Sequence, residues 1–223
     1  KTDSGITATL EDGKTITAGL CLVSIGRALN NENIGLEKIG VAQGKRGEIT
    51  VNERMETNIP GIFAIGDITG KIMLAHVAST QGLVAVENIM GHHRVMNYDV
   101  VPAGIFTMPE IGSVGLREHW AKEKGVDIKI GRFNFRTLGK AQAMGEIAGM
   151  VKIIADAKTD KVLGCHIIGA HATDIIHEAA VAMQKGMTVK ELGETIHSHP
   201  TLSEAVMEAA EDLHNLCIHA PKK

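Results

Sequence analysis

The sequence predicts an α/β fold followed by an α+β domain, and three patterns carry this prediction. Continuous apolar runs of strand length at 20–25 and 62–65 each end in glycine, as buried parallel strands often do. A helical pattern of apolar residues over 74–91 follows the second run. Beyond residue 98 the order changes to several strands and then several helices, which is typical of an α+β domain.

The composition excludes several classes of protein. The 223 residues carry a net charge of −3 with a pI near 6.4, so the chain has no basic footprint of the kind that binds nucleic acid. No apolar run approaches the roughly 20 residues of a membrane span, and no signal peptide opens the sequence. Three isolated cysteines predict no disulfide framework and fit a reducing, cytoplasmic compartment. The eleven histidines show no spacing that predicts a metal site.

The first segments are predicted to be short strands. Residues 6–10 and 14–18 flank a Glu-Asp-Gly turn and predict a β-hairpin. The apolar run 20–25 follows and stops at Gly26-Arg27, which predicts a buried strand.

A carboxylate follows the second apolar run. The run 62–65 stops at Gly66-Asp67, so the sequence places Asp67 at the carboxyl end of a predicted strand, where open α/β sheets bind ligands. Such a carboxylate accepts hydrogen bonds from sugar or polyol hydroxyls. On local pattern alone, Asp67 is about as often a turn or helix-capping residue.

The part beyond residue 98 is predicted to contain four strands and three helices. The strands are predicted at 111–115, 128–133, 150–154 and 162–168, with a hairpin turn at 158–160. The helices are predicted at 173–185, 188–196 and 201–216, and Thr188 with Glu191 forms a candidate capping box. The apolar face of the first helix reads as ordinary core in a monomer and comprises Ile175, Ile176, Ala179, Ala180 and Met183.

Residues 197–204, HSHPTLSE, contain the strongest candidate for acid–base chemistry. His199 precedes Glu204 by five residues, and a carboxylate near an imidazole fixes its tautomer and stabilises its cation. The alternative is structural, because Thr201-x-x-Glu204 behind a proline is also a capping box. One carboxylate has enough lone pairs for both roles. His197 is expected to pack or to make a structural hydrogen bond.

Several phrases together resemble one family. The run HSHPTLSEAVMEAA at 197–210 and Gly66-Asp67 with MLAH at 73–76 resemble the flavin-dependent pyridine nucleotide disulfide oxidoreductases, and among them the dihydrolipoyl dehydrogenases. The phrases FTMPEIGSVGL at 106–116 and KVLGCHIIG at 161–169 resemble the dimerisation domain of that family, which implies that part of the apolar face of the helix at 173–185 pairs with a second subunit. The resemblance covers nearly the whole chain in the family's order.

The resemblance implies roles for particular residues. It makes His199 the active-site acid/base and Glu204 its partner, and it places Gly26 against NAD. It makes Asp67 a ligand of the ribityl chain of FAD. The remaining implied FAD contacts are Met73, Leu74, Ala75 and His76. The chain has Ala28-Leu29-Asn30 where the family commonly has Arg-Pro-Asn, and this departure weakens any inference for those positions.

The resemblance also implies a domain order and an assembly. Residues 1–28 would end an NAD-binding domain, 29–97 would be the C-terminal segment of an FAD-binding domain, and 98–223 would be the dimerisation (interface) domain. No G-x-G-x-x-G motif and no C-x4-C pair occurs, so the chain resembles the C-terminal half of such an enzyme and is expected to be inactive alone.

The complete enzyme would be a homodimer that serves the lipoyl-bearing subunits of 2-oxo acid dehydrogenase complexes, in the cytoplasm or the mitochondrial matrix. It would oxidise dihydrolipoyl groups to the disulfide through FAD to NAD. Two alternatives stay open: a related flavin reductase acting on glutathione or mercuric ion, and a non-catalytic dimerisation module.

Overall fold

The computed structural model describes residues 5–220, and the chain divides into two compact units. Unit 1 is Lys1–Met96 and unit 2 is Asn97–Lys223. The first four residues of the predicted NAD-domain segment and the last three of the predicted dimerisation domain lie outside the described residues. Within residues 5–220, no helix has the length and apolar character needed to cross a bilayer.

Unit 1 begins with the predicted hairpin. Strands β1 (Ile6–Thr9) and β2 (Thr15–Ala18) pair antiparallel, with Ile6 opposite Ala18. The turn closes through the N–H of Gly13, which donates to the carbonyl of Leu10 at 3.0 Å. The prediction of a hairpin is therefore confirmed.

The prediction of a strand at 20–25 was wrong for the described structure. Leu20, Leu22 and Ile25 are between 89% and 92% exposed, and no segment of residues 5–220 forms a ladder with this run. A strand needs a neighbouring strand for its backbone groups and an apolar surface for its side chains, and the described residues offer this run neither. The strand expected at 62–65 is likewise reduced to one bridge between Phe63 and Glu56.

The main element of unit 1 is helix α1 (Ala75–Ile89), which confirms the predicted helix over 74–91. Val77, Val84 and Ala85 on one side of α1 are buried, and they belong to the apolar core of unit 1. The opposite apolar positions are exposed, and they are Leu83, Val86 and Ile89. The 3.6-residue period therefore predicts the helix correctly, although only one of its two apolar sides is covered in this unit.

Unit 2 is built on a five-stranded antiparallel sheet. Its strands are β3 (Ala103–Ile105), β4 (Glu110–Gly115), β5 (Ile128–Asn134), β6 (Met150–Asp156) and β7 (Val162–Gly169). Their order across the sheet is β3-β4-β7-β6-β5. The four predicted strands are confirmed, whereas β3 is too short to show a period of two in the sequence. Two short helices were also missed, α2 (Glu118–Glu123) and α3 (Gly139–Met144).

Three helices follow the sheet in the predicted order. They are α4 (Ala172–Lys185), α5 (Val189–Gly193) and α6 (Glu204–Leu213). Helix α4 packs on β4 and β7, α6 packs on β5 and β6, and α5 contacts α6. The α4 residues Ile175, Ile176, Ala179 and Ala180 are buried inside unit 2, so they are core residues of this chain and not a free surface for a second subunit.

Two glycines let the helices approach the sheet closely. A Cβ on Gly131 of β5 would lie 2.0 Å from the carbonyl oxygen of Ala209 in α6. A Cβ on Gly112 of β4 would lie 2.3 Å from the carbonyl oxygen of Ala172 in α4. Any larger side chain at either position must push a helix away from the sheet, so these glycines set the helix-to-sheet distance.

We expect Gly131→Ala to lower the free energy of unfolding of unit 2 by about 1–3 kcal/mol, because the added methyl group overpacks the α6 contact. Chemical denaturation followed by the fluorescence of Trp120, the single tryptophan and a residue of unit 2, measures the change. Gly139→Ala is the matched control, because its methyl group would find only an ordinary contact at 4.0 Å. An unchanged midpoint for Gly131→Ala would contradict the packing argument.

Candidate active site

His199 and Glu204 are brought together at the start of α6. The Nδ1–H of His199 donates to Oε1 of Glu204 at 2.8 Å. The imidazole is 73% exposed, whereas the carboxylate is only 11% exposed. Nε2 of His199 has no hydrogen-bond partner within residues 5–220. The site therefore presents one imidazole nitrogen outward and anchors the other to a nearly buried carboxylate.

The second oxygen of Glu204 has a structural partner. The backbone N–H of Thr201 donates to Oε2 of Glu204 at 2.8 Å. The hydroxyl of Thr201 donates to the carbonyl of Ser198 at 2.8 Å, so it does not cap α6 as the capping-box prediction required. Only half of the predicted box is formed, because α6 begins at Glu204 itself.

The other predicted capping box is complete and provides a comparison. The N–H of Glu191 donates to the hydroxyl of Thr188 at 3.1 Å, and the N–H of Thr188 donates to the Glu191 carboxylate at 2.8 Å. The two motifs look alike in sequence. They differ in structure because the Glu204 carboxylate divides its oxygens between a backbone amide and an imidazole.

The surroundings of Glu204 keep its carboxyl group ionised. Burial alone would raise the pKa of Glu204, but the hydrogen bonds from Thr201 and His199 and the charge of His199 hold that pKa below its ordinary value. A carboxylate that stays charged beside Nδ1 fixes the tautomer of the imidazole and stabilises its cation. The pair has the arrangement that an acid–base group requires.

His197 points away from solvent, in agreement with the structural role expected from the sequence. Its Nδ1–H donates to the carbonyl of Thr195 at 2.7 Å, and its Nε2 bonds to the carboxylate of Glu178 in α4. Its side chain is only 5% exposed. Sequence reasoning missed Glu178, because nothing in the spacing of 19 residues links it to His197.

A second carboxylate of α6 holds the C-terminal segment. Glu208 is fully buried and accepts hydrogen bonds from the thiol of Cys217 (2.7 Å), the N–H of Ile218 (2.9 Å), and both the N–H (3.2 Å) and Nδ1–H (2.5 Å) of His219. Sequence reasoning missed this role as well. The signal was the spacing of Glu204, Glu208 and Glu211, which places three carboxylates along one side of a helix.

The predicted flavin residues lie together in unit 1. Gly66 has φ 77° and ψ −158°, and its N–H donates to Oε1 of the buried Gln81 at 2.6 Å. This conformation is open essentially to glycine alone. Asp67 follows it in a short 3-10 turn with an exposed side chain. The turn is therefore fixed by Gly66 and Gln81, which leaves the carboxylate of Asp67 accessible.

The residues MLAH at 73–76 form the entry to α1. Leu74 precedes the helix and makes no side-chain cap, and Ala75 and His76 are exposed in the first turn. A Cβ on Gly66 would lie 3.5 Å from Cβ of Ala78, so the turn bearing Asp67 packs beside the start of α1. An exposed carboxylate next to an uncapped helix N-terminus offers acceptors and donors of the kind that FAD requires. The residues present therefore fit one side of a flavin site.

Gly26 is not brought to this group. It has φ 88° and lies at the end of the exposed run 20–25, with no heavy atom within 4 Å of a Cβ placed on it.

The cysteines form no bridge among the described residues: Cys21 is exposed, and Cys165 and Cys217 are buried. Within residues 5–220, no group of three or more His, Cys, Asp or Glu side chains is arranged to hold a metal ion.

Comparison with protein families gave two matches. The model of the pyridine nucleotide-disulphide oxidoreductases matches residues 1–82. The model of the dimerisation domain of the same oxidoreductases matches residues 101–210.

Comparison with individual proteins points the same way. The chain is 48% identical over 200 residues to a dihydrolipoyl dehydrogenase of Chlamydia muridarum, covering 90% of this chain and 43% of that protein. It is 47% identical over 223 residues to the dihydrolipoyl dehydrogenase of Bacillus subtilis, covering 98% of this chain and 47% of that protein. The crystal structure of LpdA from Mycobacterium tuberculosis superposes with a TM-score of 0.89 at 33% identity, over 95% of this chain and 46% of that one. The chain thus spans less than half the length of these relatives.

The carboxylates of α6 predict a pH dependence of stability. Burial alone would raise the pKa of Glu208, but hydrogen bonds from Cys217, His219 and Ile218 lower it below its ordinary value. A carboxyl whose pKa is lowered by folding contributes stability above its unfolded pKa and loses that contribution as the pH falls through its folded pKa. We expect Glu208→Gln to cost about 1–3 kcal/mol at neutral pH and to weaken the loss of stability on acidification.

Glu211 is the matched control, one turn further along α6. Burial and the charge of Glu208 raise its pKa, and its Oε2 is buried without a partner in residues 5–220. Glu211→Gln should therefore be neutral or stabilising at neutral pH. Denaturation across a pH series, followed by Trp120 fluorescence, compares the two variants, and equal effects would refute the assignment.

Proposed function

The chain belongs to the pyridine nucleotide-disulphide oxidoreductase family, and from this premise we propose that it is the C-terminal part of a dihydrolipoyl dehydrogenase. The complete enzyme would oxidise a dihydrolipoyl dithiol to its disulfide and pass two electrons through FAD to NAD. The sequence identity to dihydrolipoyl dehydrogenases extends along both units. It supports a dihydrolipoyl substrate rather than the substrates of other flavin disulfide reductases.

The observation that carries the proposal is the bond between His199 and Glu204. A thiolate attacks a disulfide and a thiol does not, so a base beside the substrate thiol raises the reactive fraction. In the proposed mechanism, Nε2 of His199 takes the thiol proton while Nδ1–H stays bonded to Glu204. The Glu204 carboxylate then stabilises the imidazolium, which in turn stabilises a neighbouring thiolate.

The proposed cofactor contacts lie in unit 1. Asp67 would accept hydrogen bonds from the ribityl hydroxyls of FAD, and the residues 73–76 at the start of α1 would face the flavin ring. Gly26 would contact NAD. FAD and NAD, which this family uses, supply the two-electron transfer when they are bound. In this proposal residues 1–28 end the NAD-binding domain and 29–97 belong to the FAD-binding domain.

We further propose that unit 2 pairs with a second copy. Phe106, Met108 and Ile196 are 83%, 100% and 97% exposed, and apolar side chains of this size are costly to leave in water. The match to a dimerisation domain over 101–210 supports the same conclusion. In the proposed dimer, His199 serves the redox-active cysteine pair of the other subunit, and lipoyl-bearing subunits of 2-oxo acid dehydrogenase complexes bring the substrate.

Neither the cysteine pair nor a G-x-G-x-x-G motif is present here, so we expect the chain alone to be inactive.

In the complete enzyme, His199→Gln should slow dihydrolipoyl oxidation about a hundredfold or more, because the general base is lost. Glu204→Gln should lower turnover and shift the basic group of the pH profile to lower pH, because the negative partner of the imidazolium is removed. Steady-state kinetics across a pH series measures both.

Glu191→Gln is the control for the acid–base test. Its carboxylate holds the same kind of backbone N–H at a helix start without an imidazole partner, so it reports the effect of a weakened cap alone. If Glu204→Gln behaved like Glu191→Gln in rate and pH profile, the acid–base dyad would be withdrawn.

The flavin contacts give an independent prediction. The isolated chain should be largely colourless, because it lacks the phosphate-cradling turn that would stabilise the pyrophosphate. In the complete enzyme, Asp67→Ala should weaken FAD affinity, because the ribityl hydroxyls lose an acceptor. Flavin absorbance and titration of the apoenzyme measure both. Stoichiometric FAD on the isolated chain would contradict the first part, and unchanged affinity in Asp67→Ala the second.

A further inference from the structure

His197 is the inward anchor of an otherwise exposed segment. Of residues 194–200, between α5 and α6, His197 alone is not exposed. Its side chain lies against α4, where Nε2 meets the carboxylate of Glu178, and Nδ1 meets the carbonyl of Thr195. His199, two residues later, depends on this segment for its position.

Both partners of His197 are hydrogen-bond acceptors. A neutral imidazole has only one N–H, so its other nitrogen would present a lone pair to one of the two acceptor oxygens. The His197 side chain is nearly buried, so little water is available to relieve that contact. The doubly protonated ring satisfies both. Because a carboxyl group is intrinsically the stronger acid, the shared proton belongs on the imidazole.

The charges around His197 favour its cation. The hydrogen bond that His197 donates to Glu178 raises the pKa of His197 and outweighs the lowering due to burial, and the carbonyl of Thr195 and the charge of Glu204 add to the increase. Glu211 of α6 also lies within electrostatic range. On the β7 side Cys165 lies within electrostatic range of Glu178, and burial and Glu178 raise its pKa to about 12, so its thiol stays neutral.

We propose that His197 is a positioning residue for the active site: a buried imidazolium, fixed by Glu178 of α4, that anchors the segment bearing His199 and holds a positive charge two residues before it. The role of His197 in positioning His199 for catalysis rests on the proposed function, whereas the charge state of His197 does not. The anchor ties α4 to the loop before α6, and the charge of His197 favours the ionised form of Glu204, which His199 needs as its partner.

The charge state is tested on the full 223-residue chain by 15N NMR of its histidine side chains across a pH series. His197 should keep both ring protons at pH values above about 6.5, where an ordinary histidine side chain has lost one. Glu178→Gln should lower the titration midpoint of His197, and Glu194→Gln, an exposed change in the same segment, should leave it unchanged. A His197 with the titration midpoint of an ordinary histidine side chain, about 6.5, would overturn the proposal.

The positioning role is tested in the complete enzyme with His197→Gln and with Glu178→Gln, which keeps the size of the side chain. Each should lower turnover by about tenfold to a hundredfold, because the imidazole of His199 is displaced. Each should also shift the basic group of the pH profile, His199, to higher pH when His197 loses its charge, because a positive charge near His199 is removed. Glu204→Gln shifts the basic group of the pH profile to lower pH instead. A variant with a purely structural defect leaves that group unshifted.

The possible outcomes separate the two proposals. A wild-type enzyme that does not oxidise dihydrolipoyl groups would refute the proposed function, while the NMR result on His197 would stand. A folded His197→Gln enzyme with normal turnover and an unshifted profile would overturn the positioning role. Circular dichroism on each variant establishes folding, and the Glu178 variant serves where His197→Gln does not fold.

Discussion

The carboxylate of Glu204 has two donors, the backbone N–H of Thr201 and the Nδ1–H of His199, and each occupies a different oxygen. The start of α6 and the orientation of the imidazole therefore depend on one group. Because the carboxylate is nearly buried while the imidazole is exposed, the pair combines a fixed anchor with an accessible nitrogen. The hydrogen bonds overcome the cost of burial and keep the carboxyl ionised, which is the form that both donors require.

The position of the Glu204 carboxylate depends on the position of α6. Gly131 brings α6 onto β5 and Gly112 brings α4 onto β4, so the two helices are set by the same sheet. His197 reaches from the loop before α6 to Glu178 and joins that loop to α4 through a hydrogen bond. Side chains from distant parts of unit 2 thus meet around one short segment, and the sheet provides the rigid base that the proposed acid–base pair needs.

Unit 1 shows a different relation between sequence and structure. The turn at Gly66 is held by Gln81, and it presents Asp67 beside the start of α1. In the same unit the run 20–25 and the outer side of α1 expose large apolar side chains. Apolar runs report what a segment would bury in a complete fold, whereas a strand exists only where another strand supplies its hydrogen bonds. The sequence therefore predicted a strand that the described residues do not form.

Local patterns in the sequence determined the hairpin, α1, the four longer strands of the sheet, the order of α4 to α6, and the candidate pair His199 and Glu204. These features depend on periodicity, turn residues and short spacings, which a sequence carries directly. Only the tertiary structure decided that Glu204 divides its oxygens, that α6 begins at Glu204 rather than at Thr201, and that Glu178 and Glu208 hold His197 and the C-terminal segment. Those contacts join residues whose separations along the chain follow neither the helical nor the strand period. They form because the sheet sets where each helix lies, and buried carboxylates then need every donor within reach.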